Sequence, residues 1–251
     1  MGDDTSPLEP MLRKLALRGT LSDADKAAVL ALPYTADKLK AQSYIVRDGD
    51  VATHSCLLRS GFAYRHKVTG EGRRQICSLH LSGDMVDLQN SLLRVADHSV
   101  QAMTDIWVAY IPREAILDLA FTHRAVGEAL WYDTLVDAAI FREWTTSIGQ
   151  RDGRARLAHM LCEFALRFEA AGLGTADRFD LPMTQEQLGD STGLTAVHAN
   201  RMLRVLKDSG LVTIENRVVR ILDWPGLARL GDFDRAYLHL PGEQARVMRR
   251  R

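Results

Sequence analysis

The spacing of apolar residues changes near the middle of the chain. Residues 34–111 contain short runs of alternating apolar and polar positions, separated by glycine turns at residues 60–61 and 82–84. Many short strands joined by such turns are typical of a sandwich or barrel. Residues 112–172 instead place apolar side chains three or four positions apart, which predicts helices. The strand candidates are residues 43–47, 55–59, 62–68, 74–81, 98–102 and 106–111.

Residues 183–214 carry the pattern of a helix-turn-helix. Thr184 and Gln187 have the spacing of a capping box at the start of a short first helix. Gly193 supplies the positive φ that a tight turn between two helices needs. Thr195 begins a second helix, which stops at Gly210. The pattern predicts a unit that reads DNA, and the alternative is a purely structural helix pair.

A short β-ribbon follows the second helix, with strands at residues 211–214 and 218–221 and a turn at Glu215-Asn216. This is the element order of a winged helix. Between residues 195 and 222, only Asp208 and Glu215 are acidic, so the local charge is positive and suits contact with DNA phosphates. The basic residues of this region are Arg201, Arg204, Lys207, Arg217 and Arg220.

The composition is that of an ordinary globular protein, with 46% apolar and 25% charged residues and a net charge of zero. No stretch approaches the ~20 apolar residues of a membrane span. The N-terminus MGDDTSPLEP lacks an apolar signal core, so we expect a cytoplasmic protein. Cys56, Cys77 and Cys162 are odd in number and far apart, which indicates neither a zinc site nor a disulfide framework. We therefore expect no cofactor.

The helical region contains an apolar stripe near coiled-coil spacing, flanked by Asp133 and Asp137. Helix-turn-helix proteins usually pair to read two half-sites, so we expect the stripe to mediate self-association. The alternative is that the stripe packs on the β-domain. Two glycines at residues 149–153 predict a hinge between domains. The stripe consists of Val126, Leu130, Val136, Ile140, Trp144 and Ile148.

These elements occur in the order found in the Crp/Fnr superfamily of bacterial transcription regulators, which the chain resembles over residues 15–230. The segments that carry the resemblance are YIVRDGD, LLRSGFAYRHKV, SGDMVDLQ and TQEQLGDSTGLTAVHANRMLRVLKDSGLV. The resemblance implies an α+β fold and a homodimer joined through its long central helix. It also implies binding to pseudo-palindromic double-stranded promoter DNA and contact with RNA polymerase.

The resemblance predicts four parts along the chain. Residues 1–112 would form a jelly-roll-like β-roll sensor domain, similar to cyclic-nucleotide-binding domains. Residues 113–149 would form the dimerisation helix, and residues 154–230 the winged helix-turn-helix domain. Residues 231–251 would be a C-terminal tail, in which we expect the final arginines to be solvated rather than bound to DNA.

The possible effector pocket departs from the cyclic-AMP-binding members of the family. Asp87 and Leu88 stand where those members have Gly-Glu, and His98 and Ser99 stand where they have Arg-Ser or Arg-Thr. Leucine cannot accept a hydrogen bond from ribose, Asp87 would repel a phosphate, and histidine lacks the arginine fork. We expect no cyclic-nucleotide binding of the usual kind and interpret Asp87 and His98 as strand-end residues. A cyclic-AMP-responsive regulator is the alternative.

Other sensing chemistries and enzyme classes find little support. No cysteine precedes Cys56, whereas iron–sulfur members cluster cysteines near the N-terminus. His66, His80 and Cys77 are too generic to indicate haem. A cupin-type metalloenzyme fused to a helix-turn-helix would need a His-x-His pair, and the sequence has none. We expect a protein that is not an enzyme and that responds to an unknown small-molecule effector or to none.

Specificity requires side chains that reach base edges from the first turns of the second helix. Arg201 matches the family arginine that reads guanine, with an ion pair to Asp208 as its alternative, and Asn200 suits adenine. Ala196 and Val197 replace the usual arginine and glutamate and can contact only a thymine methyl. The expected base contacts are Ala196, Val197, His198, Asn200 and Arg201; the expected phosphate contacts are Thr184, Gln185, Thr195, Arg204 and Arg217.

Overall fold

The computed structural model describes residues 6–240, which form two compact units. The first unit comprises the chain up to Gly72 together with Ser78–Asp137, and the second comprises Arg73–Cys77 and the chain from Ala138. The first unit is an antiparallel β-roll with helices, and the second contains the helix-turn-helix and its wing. The α+β fold class is confirmed.

Two short helices precede the strands of the β-roll. They are α1 (Glu9–Ala16) and α2 (Asp23–Leu30), and the second begins with a capping box between Ser22 and Asp25. The strands are β1 (Thr35–Leu39), β2 (Tyr44–Val46), β3 (His54–Ser60), β4 (Ala63–Val68), β5 (Arg74–His80), β6 (Ser99–Ala102) and β7 (Ile106–Pro112).

The strands form two antiparallel sheets that share one core. One sheet has the order β1-β7-β3 and the other has the order β2-β6-β4-β5. Leu58 and Val108 pair across β3 and β7 in the first sheet, and Val100 of β6 in the second sheet joins them in a single buried cluster. The alternation of apolar and polar residues in these strands is therefore explained by a core on one face of each sheet.

The helical stretch after the β-roll is divided in two. Helix α3 (Arg113–Thr122) ends at His123, and α4 (Arg124–Gln150) begins at the next residue. A Cβ atom on Gly127 would lie only 2.3 Å from the carbonyl oxygen of Ala120, so this elbow requires glycine. The sequence predicted helix with few breaks over this region and did not predict the elbow.

The predicted self-association stripe on α4 is buried within the chain itself. Val126, Leu130, Val136, Ile140 and Trp144 are buried, and Ile148 is half-buried. Val126 and Leu130 therefore pack in a core cluster of the first unit, as the alternative interpretation had it, whereas Trp144 contacts Phe164 and Glu163 of the following helix. The large apolar side chains that α4 does expose are Trp131 and Leu135, at 68% and 55%.

The second unit is built around α5 (Gly153–Ala170), which buries eleven residues. Phe164 stacks on Phe168 with a centroid distance of 5.7 Å, and Phe179 meets Phe168 edge to face at 5.3 Å. The remaining elements are β8 (Gly174–Thr175), β9 (Arg178–Asp180), α6 (Gln185–Thr192), α7 (Ala196–Asp208), β10 (Val212–Glu215), β11 (Val218–Ile221) and α8 (Trp224–Leu230).

The strands of the second unit form one antiparallel sheet in the order β10-β11-β9-β8. Residues after α8 continue into a 3₁₀ turn, Arg235–Leu238, whose Leu238 is buried. The first part of the predicted C-terminal tail is thus packed structure, and residues 241–251, with the final arginines, lie outside the described residues. None of the described helices has the length and apolar character needed to traverse a bilayer.

Candidate nucleic-acid interface

Helix α6 begins with the capping box expected from the sequence. The Gln187 N–H donates to Thr184 Oγ1 at 3.2 Å, and the Thr184 N–H donates to Gln187 Oε1 at 2.8 Å. Both bonds satisfy N–H groups that a helix start otherwise leaves unpaired. Thr184 and Gln185 are exposed at this helix start, where an N-terminus attracts anions.

The turn between α6 and α7 depends on two glycines. Gly193 ends α6 with φ of 65°, a left-handed conformation that disfavours other residues. A Cβ atom on Gly189 would lie 2.6 Å from the carbonyl oxygen of Leu194, so the backbone approaches too closely there for any side chain. The role of Gly193 was predicted from the sequence and that of Gly189 was not, although a glycine inside a helical pattern is a signal of close packing.

Helix α7 presents one exposed face with a distinct composition. Thr195 caps the helix by accepting the His198 N–H at 3.2 Å, while Ala199, Leu203 and Leu206 face the core. Val197, Asn200, Arg201 and Arg204 are exposed and follow one another at helical spacing, so they share a face. We call these four residues the recognition face. Val197 is 82% exposed, which is unusual for a large apolar side chain.

Two residues predicted to contact bases are less exposed than the recognition face. His198 is half-buried, and its Nε2 lies 3.1 Å from the position that a Cβ on Gly153 would occupy, so its ring packs at the start of α5. Ala196 is also half-buried, and its backbone nitrogen lies against Gly189.

The arginines of the recognition face are not engaged by carboxylates. Within residues 6–240, Arg201 and Arg204 form no ion pair, so the alternative of an Arg201–Asp208 pair is not observed. Their guanidinium donors are therefore available to an external acceptor. Five N–H donors in a planar fork suit phosphate oxygens and the O6/N7 edge of guanine.

The wing turns at Asn216 and Arg217, one residue later than the sequence predicted. Both residues have positive φ, 48° and 68°, as the two central positions of a tight hairpin turn of this type require. The Arg217 carbonyl accepts the Leu181 N–H at 2.7 Å, which ties the wing tip to the segment before α6. The Arg217 side chain is exposed.

In the β-roll, Asp87 is directed into the protein. It is 3% exposed, and its Oδ1 accepts the backbone N–H of Cys56 at 2.6 Å. Burial raises the pKa of Asp87 to about 7, although this bond and the nearby Arg65 charge oppose the rise. A carboxyl group in this position is a hydrogen-bond acceptor for the backbone of β3.

The other three predicted pocket residues are also engaged by the protein. Leu88 packs against the apolar cluster beneath the helices, and Ser99 Oγ accepts the Asp48 N–H at 3.0 Å. His98 Nδ1 lies 2.5 Å from Asp97 Oδ1, and His98 Nε2 lies 3.0 Å from Gln89 Nε2. Burial, followed by the nearby Arg65 charge, lowers the pKa of His98. These contacts agree with the interpretation of His98 and Asp87 as structural residues.

Sequence analysis did not single out Arg65, a buried residue of β4. Its Nη2 donates to the Val86 carbonyl at 2.9 Å, and its Nη1 lies 3.3 Å from Asp137 Oδ2 of α4. The sequence carried no clear signal of its burial, since Arg65 is followed by His66 and Lys67 in the segment FAYRHKV. Residues 6–240 contain no cluster of three or more His, Cys, Asp or Glu side chains able to hold a metal ion.

Comparison with known proteins identifies both halves of the chain. Residues 36–123 match the cyclic nucleotide-binding domain family, and residues 155–230 match the Crp-like helix-turn-helix domain family. The transcriptional activator FnrA of Stutzerimonas stutzeri is 27% identical over 76% of this chain and 78% of its own length. The transcriptional activator FnrL of Cereibacter sphaeroides is 26% identical over 78% of this chain and 79% of its own.

A solved structure shows the same fold. FixK2 from Bradyrhizobium japonicum superposes with a TM-score of 0.73, at 24% identity, over 79% of this chain and 98% of its own. The element order, the β-roll and the winged helix-turn-helix agree with these matches. This chain is a member of the Crp/Fnr superfamily of transcription regulators.

Proposed function

We propose that the protein is a homodimer that reads a pseudo-palindromic promoter site by inserting α7 of each copy into the major groove. The observation that carries this proposal is the recognition face, whose polar and apolar side chains are exposed and have no partner among residues 6–240. A helix in this position meets base edges with its first turns. We place the protein in the cytoplasm, where promoter DNA and RNA polymerase are found.

Each residue of the recognition face has a separate task in this proposal. Arg201 donates two hydrogen bonds to a guanine, Asn200 pairs with adenine N6 and N7, and Val197 contacts a thymine methyl. Arg204 binds a phosphate, which adds affinity without sequence information. Ala196 and His198, which are half-buried, are the other two proposed base contacts.

The remaining phosphate contacts come from the edges of the domain. Thr184 and Gln185 at the start of α6, and Thr195 at the start of α7, are exposed at helix N-termini. Arg217 at the wing tip is the fourth. These contacts set the position of the protein on the duplex.

The proposed dimer interface is the exposed apolar side of α4. Trp131 and Leu135 are four residues apart, so they form one patch on the helix surface. A two-fold axis beside this patch would bury each copy's patch against the other. Replacing Trp131 with Asp should therefore weaken self-association.

We propose that the β-roll does not bind cyclic AMP in the usual mode. Leu88 offers no acceptor to ribose, and Asp87 and His98 already have protein partners. The domain senses a different small molecule or acts without one. No enzymatic activity is proposed, since the family acts by binding DNA and contacting RNA polymerase.

Selection of bound fragments from random and genomic DNA tests this function. The purified protein should select a two-fold-symmetric site with half-sites about one helical turn apart, in the presence or absence of metabolites from a cell extract. The parallel measurement is sedimentation of the wild type and of Trp131→Asp, with Leu92→Asp, an equally exposed residue, as the control. A monomeric wild type that binds no DNA at low salt would refute the proposal.

A further inference from the structure

Residues 231–240 lie past the end of the matched helix-turn-helix domain, which stops at residue 230. We call them the C-terminal strap. The strap packs against α5 and is linked to the last turns of α4 through Glu163 and Arg151, all within the second unit. It contributes none of the residues proposed to contact DNA, so its contacts call for a separate explanation.

The strap encloses His159 of α5. The His159 Nδ1–H donates to the Gly231 carbonyl at 3.0 Å, and Nε2 lies 3.0 Å from the hydroxyl of Tyr237. The Tyr237 ring stacks on the imidazole with a centroid distance of 5.7 Å, and Phe233 meets its edge at 5.1 Å. His159 is buried, and burial lowers its pKa. The strap is thus fixed to α5 by both polar and ring contacts.

A single buried carboxylate joins the strap to α4. Glu163 of α5 has no exposed surface, and its Oε2 accepts a hydrogen bond from Tyr237 Oη at 2.8 Å. The same oxygen accepts the indole N–H of Trp144, on α4, at 2.9 Å. Arg167 compensates the charge through Oε1 at 3.1 Å. Three segments of the chain therefore meet at one side chain.

Arg151, in the connection between α4 and α5, forms a second link. Its Nη2 donates to Glu143 of α4 at 2.7 Å and to the carbonyl and carboxylate oxygens of Asp232 in the strap, both at 3.2 Å. The connection itself is only Arg151 and Asp152, since α4 ends at Gln150 and α5 begins at Gly153. The strap thus contacts α5 and the connection directly and is linked to α4 through Arg151 and Glu163.

We propose that the C-terminal strap holds the last turns of α4 at a fixed angle to α5, and thereby sets the half-site spacing that the protein accepts. Tyr237 is the positioning residue, because its hydroxyl reaches both His159 and Glu163. This inference rests on the proposed dimeric DNA binding. If α4 carries the dimer contact and α5 carries α7, the angle between them determines the distance between the two recognition helices.

The network resists opening of the hinge because its hydrogen bonds are buried. A hydrogen bond to a buried charged acceptor is costly to lose, since the acceptor cannot be solvated without opening the structure. Opening the hinge would separate Trp144 from Glu163, or it would separate Tyr237 from both Glu163 and His159. The network therefore resists rotation at Arg151-Asp152 more than a two-residue connection alone would.

The test compares Tyr237→Phe with Tyr34→Phe in the full-length protein. The first variant keeps the stacked ring and removes only the hydroxyl; the second removes a hydroxyl from a half-exposed tyrosine of the other unit. Trp144→Phe removes the indole N–H from the α4 side of the same carboxylate. Amide exchange over residues 144–151, measured without DNA, should rise about tenfold in Tyr237→Phe and Trp144→Phe and stay unchanged in Tyr34→Phe.

The second measurement uses DNA with altered spacing. One inserted base pair at the centre of the selected site moves the half-sites apart by about 3.4 Å and rotates them by about 35°. The wild type should discriminate strongly against this site, and Tyr237→Phe should lose most of that discrimination while retaining its preference among half-site sequences. A merely structural role would lower affinity for both spacings equally.

The outcomes separate the strap from the general function. Unchanged exchange in both network variants, or unchanged spacing discrimination in Tyr237→Phe, overturns the role of the strap. If the wild type binds no DNA, the proposed function fails, whereas the exchange data still report whether the strap holds the hinge.

Discussion

The recognition face of α7 and the predicted effector pocket of the β-roll differ in what their polar side chains contact. Arg201 and Arg204 are exposed and unpaired within the described chain, whereas Asp87 and His98 are buried and bonded to the protein. Groups bonded inside the protein have little left to offer a ligand, and unpaired exposed donors can bind one without breaking existing contacts. A residue can therefore occupy a family's binding position without being available to bind a ligand.

The largest expected effect comes from Arg201→Ala. Loss of a bidentate contact to guanine should cost ~1–3 kcal/mol of binding free energy and relax preference at one base pair. Competitive binding to the selected site and to its single-base variants measures both quantities.

Arg204→Ala is the matched control for this prediction. It should weaken binding to every sequence alike and reduce the salt slope by about one. Equal loss on all sequences for Arg201→Ala as well would remove the distinction between the two arginines.

Asp87→Ala tests whether this carboxyl group of the β-roll has a structural role. The Cys56 N–H would lose its buried acceptor, so the free energy of unfolding should fall by about 1–3 kcal/mol. Denaturant unfolding measures the change, and Asp87→Asn, which keeps an acceptor oxygen, should lose less. A variant with full stability and altered DNA binding would instead point to a ligand role for this residue.

The pH dependence of stability sharpens the same point. Because the folded pKa of Asp87 is raised from 3.8 to about 7, the folded state holds a proton that the unfolded state has released. The contribution of Asp87 to the free energy of unfolding is complete below about pH 4 and is lost as the pH rises through 7. The stability of the wild type relative to Asp87→Asn should therefore fall across this window and level off above it, as urea unfolding at several pH values would reveal.

The stability contributions of two histidines of the β-roll have the opposite pH dependence. Burial lowers the pKa of His80 and His98, so both lose stabilising effect as the pH falls below 6.5, the usual value. Both contributions are common to the wild type and to Asp87→Asn and cancel in the comparison. A stability of the wild type relative to Asp87→Asn that falls toward acid would contradict the raised pKa.

The smallest expected effect is at the wing tip. Arg217→Gly removes a proposed phosphate contact and also suits the positive φ of this position, 68°. Binding should weaken a few-fold on all sequences, with a salt slope smaller by about 0.9. The variant should be more stable than Arg217→Ala by roughly 1 kcal/mol in thermal unfolding, since alanine retains the backbone strain. Equal stability of the two would argue against that strain.

The alternation of apolar and polar residues along the chain predicted most of the β-roll. In a strand with one face on the core, every second side chain is buried. The predicted strand at residues 55–59 is observed as β3 (His54–Ser60) and that at 106–111 as β7 (Ile106–Pro112). Strand β1 (Thr35–Leu39) was missed because it lies at a sheet edge and is almost wholly exposed, so its sequence TADKL carries no alternation.

Periodicity on α4 predicted which residues are buried and not what buries them. Val126 and Leu130 have helical spacing whether they face a second copy or the same chain, and the structure buries them in the first unit's own cluster. In the same way, the capping box of Thr184 could be predicted because its partners are three residues apart. The contact of His198 with the start of α5 could not be predicted from the sequence, because Gly153 lies 45 positions away from His198.

The separation between the turn and the recognition face has a consequence for how such proteins diversify. Gly189 and Gly193 fix the backbone of the two helices, while Val197, Asn200 and Arg201 take no part in the core. With the proposed base contacts, exchanging those three side chains would redirect the protein to other promoters at little cost in folding. Descendants of this chain can therefore acquire new target genes while their scaffold stays the same.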